Sequence, residues 1–179
     1  MDINHIAIDQ NHIELIYGLI ISHKPKTILE LGIGSGFLTK RMIEAFKYNE
    51  YQVDIDCVDN FFDWHGKIPE HIAKLQDINL IVQSEKAFLD SSSKAYDFIV
   101  SDADHFNCHK WIELTHSKLN NDGILVYHDI TNPSFPNLMS IKMYYDTVPH
   151  QFSSMLFSKN SKQGERCDRG LLVLQKRQS

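Results

Sequence analysis

Residues 27–40, T-I-L-E-L-G-I-G-S-G-F-L-T-K, join a short apolar run, three closely spaced glycines and the start of a helical pattern. The apolar run at residues 27–31 follows Pro25 and ends at Gly32, which is typical of a buried parallel strand. Helical spacing resumes at Phe37. The stretch therefore predicts a strand, a glycine turn and a helix.

The glycine turn has the properties of a ligand-binding turn. Gly32, Gly34 and Gly36 allow positive φ and close approach of a ligand, and the following helix presents unpaired N–H groups. A dinucleotide-binding turn would need a small residue where Phe37 stands, and it would not need Glu30 before the first glycine. A carboxylate there suits a ligand that carries a positive charge. The alternative is a tight strand-to-helix turn without a ligand.

Length and composition predict one globular domain spanning residues 1–179, with 42% apolar and 23% charged residues. The net charge of −5 argues against a nucleic-acid partner. Three widely spaced cysteines without a C-x-x-C pair indicate neither a disulfide framework nor a cysteine zinc site. Because no signal-peptide pattern or membrane-spanning apolar run occurs, we expect a soluble, cytoplasmic protein without a membrane partner.

The rest of the chain alternates between strand and helix patterns, which predicts parallel strands joined by right-handed crossovers. Strands are predicted at residues 27–31, 51–58, 79–82, 96–101, 124–127, 152–157 and 171–175. Helices are predicted at residues 9–23, 38–47, 69–75, 107–119 and 138–147. We expect His5, His12 and His23 to be surface or capping histidines.

Titratable side chains follow several of these strands. Asp59 ends the second strand, where an adenosine ribose needs a carboxylate to accept its two hydroxyls, although a helix N-cap is the alternative role. D-A-D-H at residues 102–105 follows the fourth strand, and His128 and Asp129 follow the fifth. Because parallel strands end at the same edge of a sheet, these groups are expected to converge with Glu30.

The pattern E-x-G-x-G-x-G at residues 30–36 resembles the first motif of the class I S-adenosylmethionine-dependent methyltransferases, and the resemblance extends over residues 10–176. It implies a Rossmann-like α/β fold, a seven-stranded methyltransferase sheet of order 3-2-1-4-5-7-6 with the last strand antiparallel and helices on both faces. It also implies S-adenosyl-L-methionine as cofactor. The cofactor contacts it implies come from Glu30, Gly32, Gly34, Ser35, Gly36, Asp59, Asn60, Ser84 and Asp102.

D-A-D-H followed by Y-H-D-I resembles the small-molecule O-methyltransferases that use a divalent metal, including the catechol and antibiotic-sugar types. This resemblance implies that Asp102 and Asp129 bind Mg²⁺ or Mn²⁺ and that His105 acts as the catalytic base.

Two departures leave the third metal ligand open. Catechol-type enzymes carry an asparagine where this chain has Ile130, and sugar-type enzymes carry an acid where it has His128. His128 is our candidate ligand, with Asp104 or water as alternatives. An imidazole ligand would shift the preference from magnesium towards manganese, iron or zinc.

We therefore expect methyl transfer from S-adenosylmethionine to a hydroxyl of a small-molecule acceptor. One alternative is a nucleotide-dependent oxidoreductase or epimerase, against which Glu30 and Phe37 count. Another is a noncatalytic cofactor-binding or partner protein of the same fold, against which the set of Asp102, His105 and Asp129 counts. The acceptor is open, and so is the oligomeric state, for which a homodimer is the candidate.

Overall fold

The computed structural model describes residues 8–49, 52–158 and 169–178, whose strands form one seven-stranded sheet. Its order is β3-β2-β1-β4-β5-β7-β6, and β7 runs antiparallel to both β5 and β6. The predicted fold is thereby confirmed. The strands are β1 (Thr27–Leu31), β2 (Asp54–Asp59), β3 (Asn79–Val82), β4 (Tyr96–Ser101), β5 (Leu119–His128), β6 (Phe152–Phe157) and β7 (Leu171–Lys176).

Helices cover both faces of this sheet. They are α1 (Gln10–His23), α2 (Phe37–Asn49), α3 (Glu70–Ala73), α4 (Glu85–Ser91), α5 (Ile112–Ser117) and α6 (Met139–Asp146). Short 3₁₀ helices precede α5 and α6. Within the described ranges, no helix has the length and hydrophobicity that a bilayer-spanning segment requires.

Two apolar layers hold the helices against the sheet. On one face, Ile16 and Ile20 of α1 pack with Met42 of α2 against the sheet. On the other, Leu89 of α4 and Ile141 of α6 pack in a second cluster. Strands buried on both faces are mainly apolar, which explains the apolar runs of the central strands.

The fold differs from the sequence prediction in several places. β2 begins at Asp54 instead of residue 51, and the helix predicted at residues 107–119 is a 3₁₀ helix at Cys108–Trp111 followed by α5. The predicted turn at residues 120–123 lies inside β5, where Asp122 has a φ of 61° and the pairing with β4 changes register between Tyr96 and Phe98. A bulge can absorb such a turn-like sequence without ending the strand. Helix α4 was not predicted because its 7 residues are too few to show a helical period.

The glycine turn lies directly against the end of β4. The N–H of Asp102 donates to the carbonyl of Leu31 over 2.8 Å, and the N–H of Gly32 donates to the carbonyl of Val58 over 2.8 Å. A Cβ on Gly32 would lie 2.5 Å from the carbonyl oxygen of Asp102, and the φ of Gly32 is 89°. Only glycine fits there, so this residue brings the ends of β1, β2 and β4 together.

Candidate active site

A cavity of about 860 Å³ lies at the carboxyl edge of the sheet, bounded by the glycine turn and the loops after β2, β3, β4 and β5. Open α/β sheets bind ligands at this edge. The predicted site residues that line the cavity are Glu30, Gly32, Gly34, Ser35, Asp59, Asn60, Ser84, Asp102, His105 and Asp129.

Gly36 and His128 were also predicted as site residues but do not line the cavity. A Cβ on Gly36, whose φ is 73°, would collide with the side chain of Ile72. This glycine therefore serves the packing of α2 against the segment that carries Ile72. His128 lies behind Asp102, where it is buried.

Glu30 is a buried carboxyl group with one satisfied oxygen. Its Oε2 accepts hydrogen bonds from Thr39 Oγ1 at 2.8 Å and Cys57 Sγ at 3.3 Å. Its Oε1 has no hydrogen-bond partner among the residues that the structure describes. Burial raises the pKa of Glu30 to about 8. A cationic group entering the cavity would supply both the missing partner and the charge that stabilises the ionised form.

Asp59 braces the glycine turn. Its Oδ2 accepts from the N–H groups of Ile33 at 2.8 Å and Gly34 at 3.1 Å, and its Oδ1 accepts from the N–H of Phe61 at 2.6 Å. None of these donors lies in a helix, so Asp59 is not a helix N-cap. An ionised carboxylate offers about four acceptor positions, so about one remains for a ligand hydroxyl. A ribose contact by Asp59 stays a prediction.

Asp56, on the same strand as Asp59, is separated from the cavity. It accepts hydrogen bonds from Tyr96 at 2.6 Å, Lys94 at 2.8 Å and Asn79 at 2.8 Å. Burial alone would raise the pKa of Asp56, but Lys94 and these hydrogen bonds lower it. Asp59 is therefore the acid of β2 that faces the ligand space.

Asn60 and Ser84 line the cavity and also hold their own turns. Asn60 Oδ1 accepts from the N–H of Phe62 at 3.0 Å, and Ser84 Oγ caps α4 by accepting from the N–H of Ala87 at 3.3 Å. The predicted cofactor contacts of both residues remain predictions.

Glu85, which sequence reasoning missed, is a second buried carboxyl in the cavity wall. It accepts from Ser101 Oγ and from the N–H of Asp104, each at 3.2 Å. Burial raises the pKa of Glu85 to about 7. The sequence signal for this residue was the pair Ser84-Glu85 after β3. An acid at such a position is also common in the first turn of a helix, so the signal did not single it out.

Asp102, His105 and Asp129 meet as predicted. The Nε2 of His105 lies 3.1 Å from Asp102 Oδ1 and 2.8 Å from Asp129 Oδ2, and its ring stacks on Phe135 with a centroid distance of 4.6 Å. Burial lowers the pKa of His105, but hydrogen bonds to the two carboxylates outweigh it and raise the pKa to about 10. In this state the imidazole is a proton donor at neutral pH. Its role as a base stays a prediction.

The three predicted metal ligands also lie together. Nδ1 of His128 is 3.0 Å from Asp102 Oδ1 and 3.7 Å from Asp129 Oδ1. The side chain of Asp104 lines the cavity but accepts from Asn107 over 3.1 Å and is not part of this group. His128 is therefore better placed than Asp104 as a third protein ligand.

Further charged residues surround this group. His12 is buried, so its expected surface position is wrong: Nδ1 of His12 lies 3.2 Å from Nε2 of His128. Arg169 Nε lies 3.2 Å from Asp9 Oδ2 and 3.4 Å from Asp129 Oδ1. His12 and His128 are 116 residues apart in the sequence, and Asp9 and Arg169 are 160 apart. No local pattern could therefore reveal these contacts.

The expectation for His23 is met, because its side chain is only partly buried at the end of α1. His5 lies outside the described residues.

Similar proteins were found at the levels of family and structure. Residues 29–130 match the model of a methyltransferase domain family. No curated protein matches the chain.

Three solved structures share most of the chain's fold. Methyltransferase PaMTH1 from Podospora anserina, bound to S-adenosylhomocysteine, is 12% identical over 99% of this chain and 83% of its own, with a TM-score of 0.72. The O-methyltransferase TomG from Streptomyces achromogenes, in complex with S-adenosylmethionine, is 12% identical over 97% and 82%, with a TM-score of 0.69. An rRNA methylase from Streptococcus thermophilus is 13% identical over 96% and 100%, with a TM-score of 0.69.

These TM-scores show a common fold, and the family match covers more than half of the 179 residues. The chain therefore belongs to the methyltransferase domain family and has the fold of the class I S-adenosylmethionine-dependent methyltransferases.

Proposed function

We propose that this protein transfers a methyl group from S-adenosylmethionine to a hydroxyl of a small-molecule acceptor. The observation that carries the proposal is Glu30, a buried carboxyl in the cavity wall with an oxygen that lacks a hydrogen-bond partner among the described residues. S-adenosylmethionine has a cationic amino group that would satisfy this oxygen. The similarity to TomG, an O-methyltransferase in complex with S-adenosylmethionine, supports the choice of cofactor and of a hydroxyl acceptor.

The rest of the cavity fits the same ligand. Gly32 and Gly34 allow the backbone to approach the methionine part closely, and the remaining acceptor position of Asp59 suits a ribose hydroxyl. Ser84, which follows β3 and lines the cavity, would contact the adenine edge.

We propose that Asp102 and Asp129 hold a divalent cation, Mg²⁺ or Mn²⁺, with His128 as the third protein ligand. Such a cation would lower the pKa of a bound acceptor hydroxyl. Two carboxylates with a nearby imidazole form a suitable donor set. His105 would receive the hydroxyl proton at Nε2 once a cation has bound the two carboxylates and this nitrogen has released its own proton to solvent.

Aromatic side chains suggest the character of the acceptor. Phe62 and Phe106 line the cavity and are 81% and 71% exposed. Exposed rings at the mouth of a pocket favour a compact, partly apolar ligand. An RNA acceptor, as the rRNA methylase name would suggest, is disfavoured by the net charge of −5.

The proposal is tested first by binding. We expect S-adenosylhomocysteine, but not NAD, to bind in calorimetry, and Asp59→Ala to weaken this binding at least about tenfold because a ribose acceptor is lost. Asp54→Ala, an exposed site on the same strand, is the matched control and should bind like the parent. Thermal unfolding of each variant verifies that it is folded.

Turnover completes the test. With labelled S-adenosylmethionine, Mg²⁺ or Mn²⁺ and a panel of catechols and sugars, the parent should methylate at least one acceptor, and His105→Gln should bind the cofactor but lose turnover. Preferential binding of NAD would replace the proposal with an oxidoreductase or epimerase. Cofactor binding without turnover across the panel would favour a noncatalytic binding protein.

A further inference from the structure

A second group of potential ligand atoms lies behind the cavity. Asp9 and His12 belong to the start of α1, and His128 ends β5. Nε2 of His128 lies 3.2 Å from Nδ1 of His12 and 3.7 Å from Oδ2 of Asp9, and Nδ1 of His12 lies 3.6 Å from the same oxygen. Both histidines are buried.

These three atoms form a nearly equilateral triangle of the size that a small transition-metal ion requires. A point equidistant from corners with these separations lies about 2 Å from each, the length of zinc–nitrogen and zinc–oxygen bonds in proteins. We propose that Asp9, His12 and His128 bind a zinc-type divalent cation. The fourth position of a tetrahedral site would be filled by water.

The surroundings of the triangle are those of a metal site. A histidine that ligates a metal usually donates its other ring N–H to a carboxylate, and ligating carboxylates are themselves hydrogen-bonded. Here Nδ1 of His128 lies 3.0 Å from Asp102 Oδ1, and Asp9 Oδ2 accepts from Arg169 Nε at 3.2 Å. With Nδ1–H directed at Asp102, the lone pair of Nε2 points to the triangle.

The side chain of Asp9 supports the same conclusion. Asp9 occupies the N-cap position of α1, where an aspartate normally accepts a hydrogen bond from the first helical turn, but its side chain makes no capping hydrogen bond. Instead, the carboxylate faces His12, His128 and Arg169. The carboxylate of Asp9 therefore lies with the two imidazoles and does not cap α1.

The donor set indicates which cations fit. Two imidazole nitrogens and one carboxylate oxygen suit Zn²⁺ or Co²⁺, whereas Mg²⁺ prefers oxygen ligands. The site thus differs in its donor set from the one proposed at Asp102 and Asp129, with which it shares His128. When Nε2 of His128 binds the zinc-type cation, its Nδ1–H is donated to Asp102. Water must then take the place of His128 in the site at Asp102 and Asp129.

The position of the site indicates a structural role. None of Asp9, His12 and His128 lines the cavity, and Asp9, whose side chain is 18% exposed, provides the access for an ion. A cation here would join α1 to the end of β5. Because the unfolded chain lacks the assembled site, binding would stabilise the folded state.

The experiment uses the full chain after removal of metals with a chelator. We expect one equivalent of Zn²⁺ to bind with a dissociation constant of about 1 µM or tighter and to raise the unfolding temperature by at least about 4 °C. Co²⁺ should give the intense visible absorption of a four-coordinate nitrogen and oxygen site. A six-coordinate site at Asp102 and Asp129 would absorb only weakly.

Variants separate this site from the proposed catalytic one. His12→Gln should weaken Zn²⁺ binding at least about tenfold and abolish the intense cobalt absorption. His23→Gln, on the same helix, is the matched control and should leave both unchanged. Asp129→Asn should retain the zinc site whether or not the catalytic proposal holds.

Asp9→Asn provides a second variant at a partly exposed position in case His12→Gln does not fold. It should weaken Zn²⁺ binding in the same way. The proposal is overturned if the parent binds Zn²⁺ no more tightly than about 1 mM, or if a folded His12→Gln or Asp9→Asn binds it as well as the parent.

Discussion

The carboxyl of Glu30 couples the stability of the protein to pH. Its pKa is raised by burial from an ordinary 4.5 to about 8. Between these values the unfolded chain has released the proton that the folded protein still holds. The unfolded state therefore binds fewer protons, and the free energy of unfolding falls as pH rises through this range.

We expect Glu30→Gln to remove this pH dependence, because the amide has a similar shape and does not ionise. From pH 5 to pH 8, the parent should lose about 3 kcal/mol of stability relative to the variant. Urea unfolding of both proteins at the two pH values measures the difference. Glu44→Gln, at an exposed position of α2, is the control and should behave like the parent. A parent-to-variant difference that is the same at both pH values would contradict the prediction.

Single residues also show which part of the site a sequence can reveal. Glu30 and the glycines that follow it form a local pattern. His105 lies three positions after Asp102, so the proximity of these two side chains could be predicted from their spacing. Asp9 and Arg169 are brought together only by the folded chain, from positions 160 residues apart. Physical chemistry cannot predict such a contact before the topology is known.

At the scale of single elements, the glycine turn carries the strictest steric requirement. A Cβ on Gly32 would lie 2.5 Å from the carbonyl oxygen and 2.7 Å from the carbonyl carbon of Asp102, at a φ of 89°. Neither atom belongs to a flexible side chain. The ends of β1 and β4 would have to separate to admit any larger residue.

We therefore expect Gly32→Ala to lower the free energy of unfolding by about 2–4 kcal/mol. Gly18→Ala is the matched control: Gly18 lies inside α1 with no atom within 4 Å of an added Cβ, so alanine there should stabilise by about 0.5–1 kcal/mol. Urea unfolding at neutral pH measures both effects. A Gly32→Ala protein as stable as the parent would show that the turn can rearrange.

Elements differed in how well the sequence specified them. The predicted bounds of β1, β3, β4 and β6 coincide with the structure, because each strand is an apolar or alternating run between clear turn residues. β5 began five residues earlier than predicted, at Leu119 rather than residue 124, because its first half pairs through an irregular register with β4. Local preferences for a turn were overruled by pairing with a neighbouring strand.

At the scale of the whole molecule, the two edges of the sheet have different tasks. The loops after β1, β2, β4 and β5 line the cavity, whereas the loops at residues 24–26, 92–95 and 147–151 lie before β1, β4 and β6, at the opposite edge. The alternation of strands and helices predicted this division, because parallel strands all place their carboxyl ends on one side. A ligand should therefore affect the two edges unequally.

We expect saturating S-adenosylhomocysteine to slow amide hydrogen exchange at least about tenfold at residues 32–36, 59–61 and 102–105, because a bound ligand suppresses local opening of the loops that contact it. Loop amides of Lys24, Lys26 and residues 92–95 lie at the far edge, away from the ligand, and should be unaffected. Amides of the buried strands β1 and β4 should slow in proportion to the gain in global stability. Exchange followed by mass spectrometry at pH 7, with and without the ligand, measures all three classes. Equal slowing of the loops at both edges, or no slowing at residues 32–36, would show that the ligand does not occupy the cavity at the carboxyl edge.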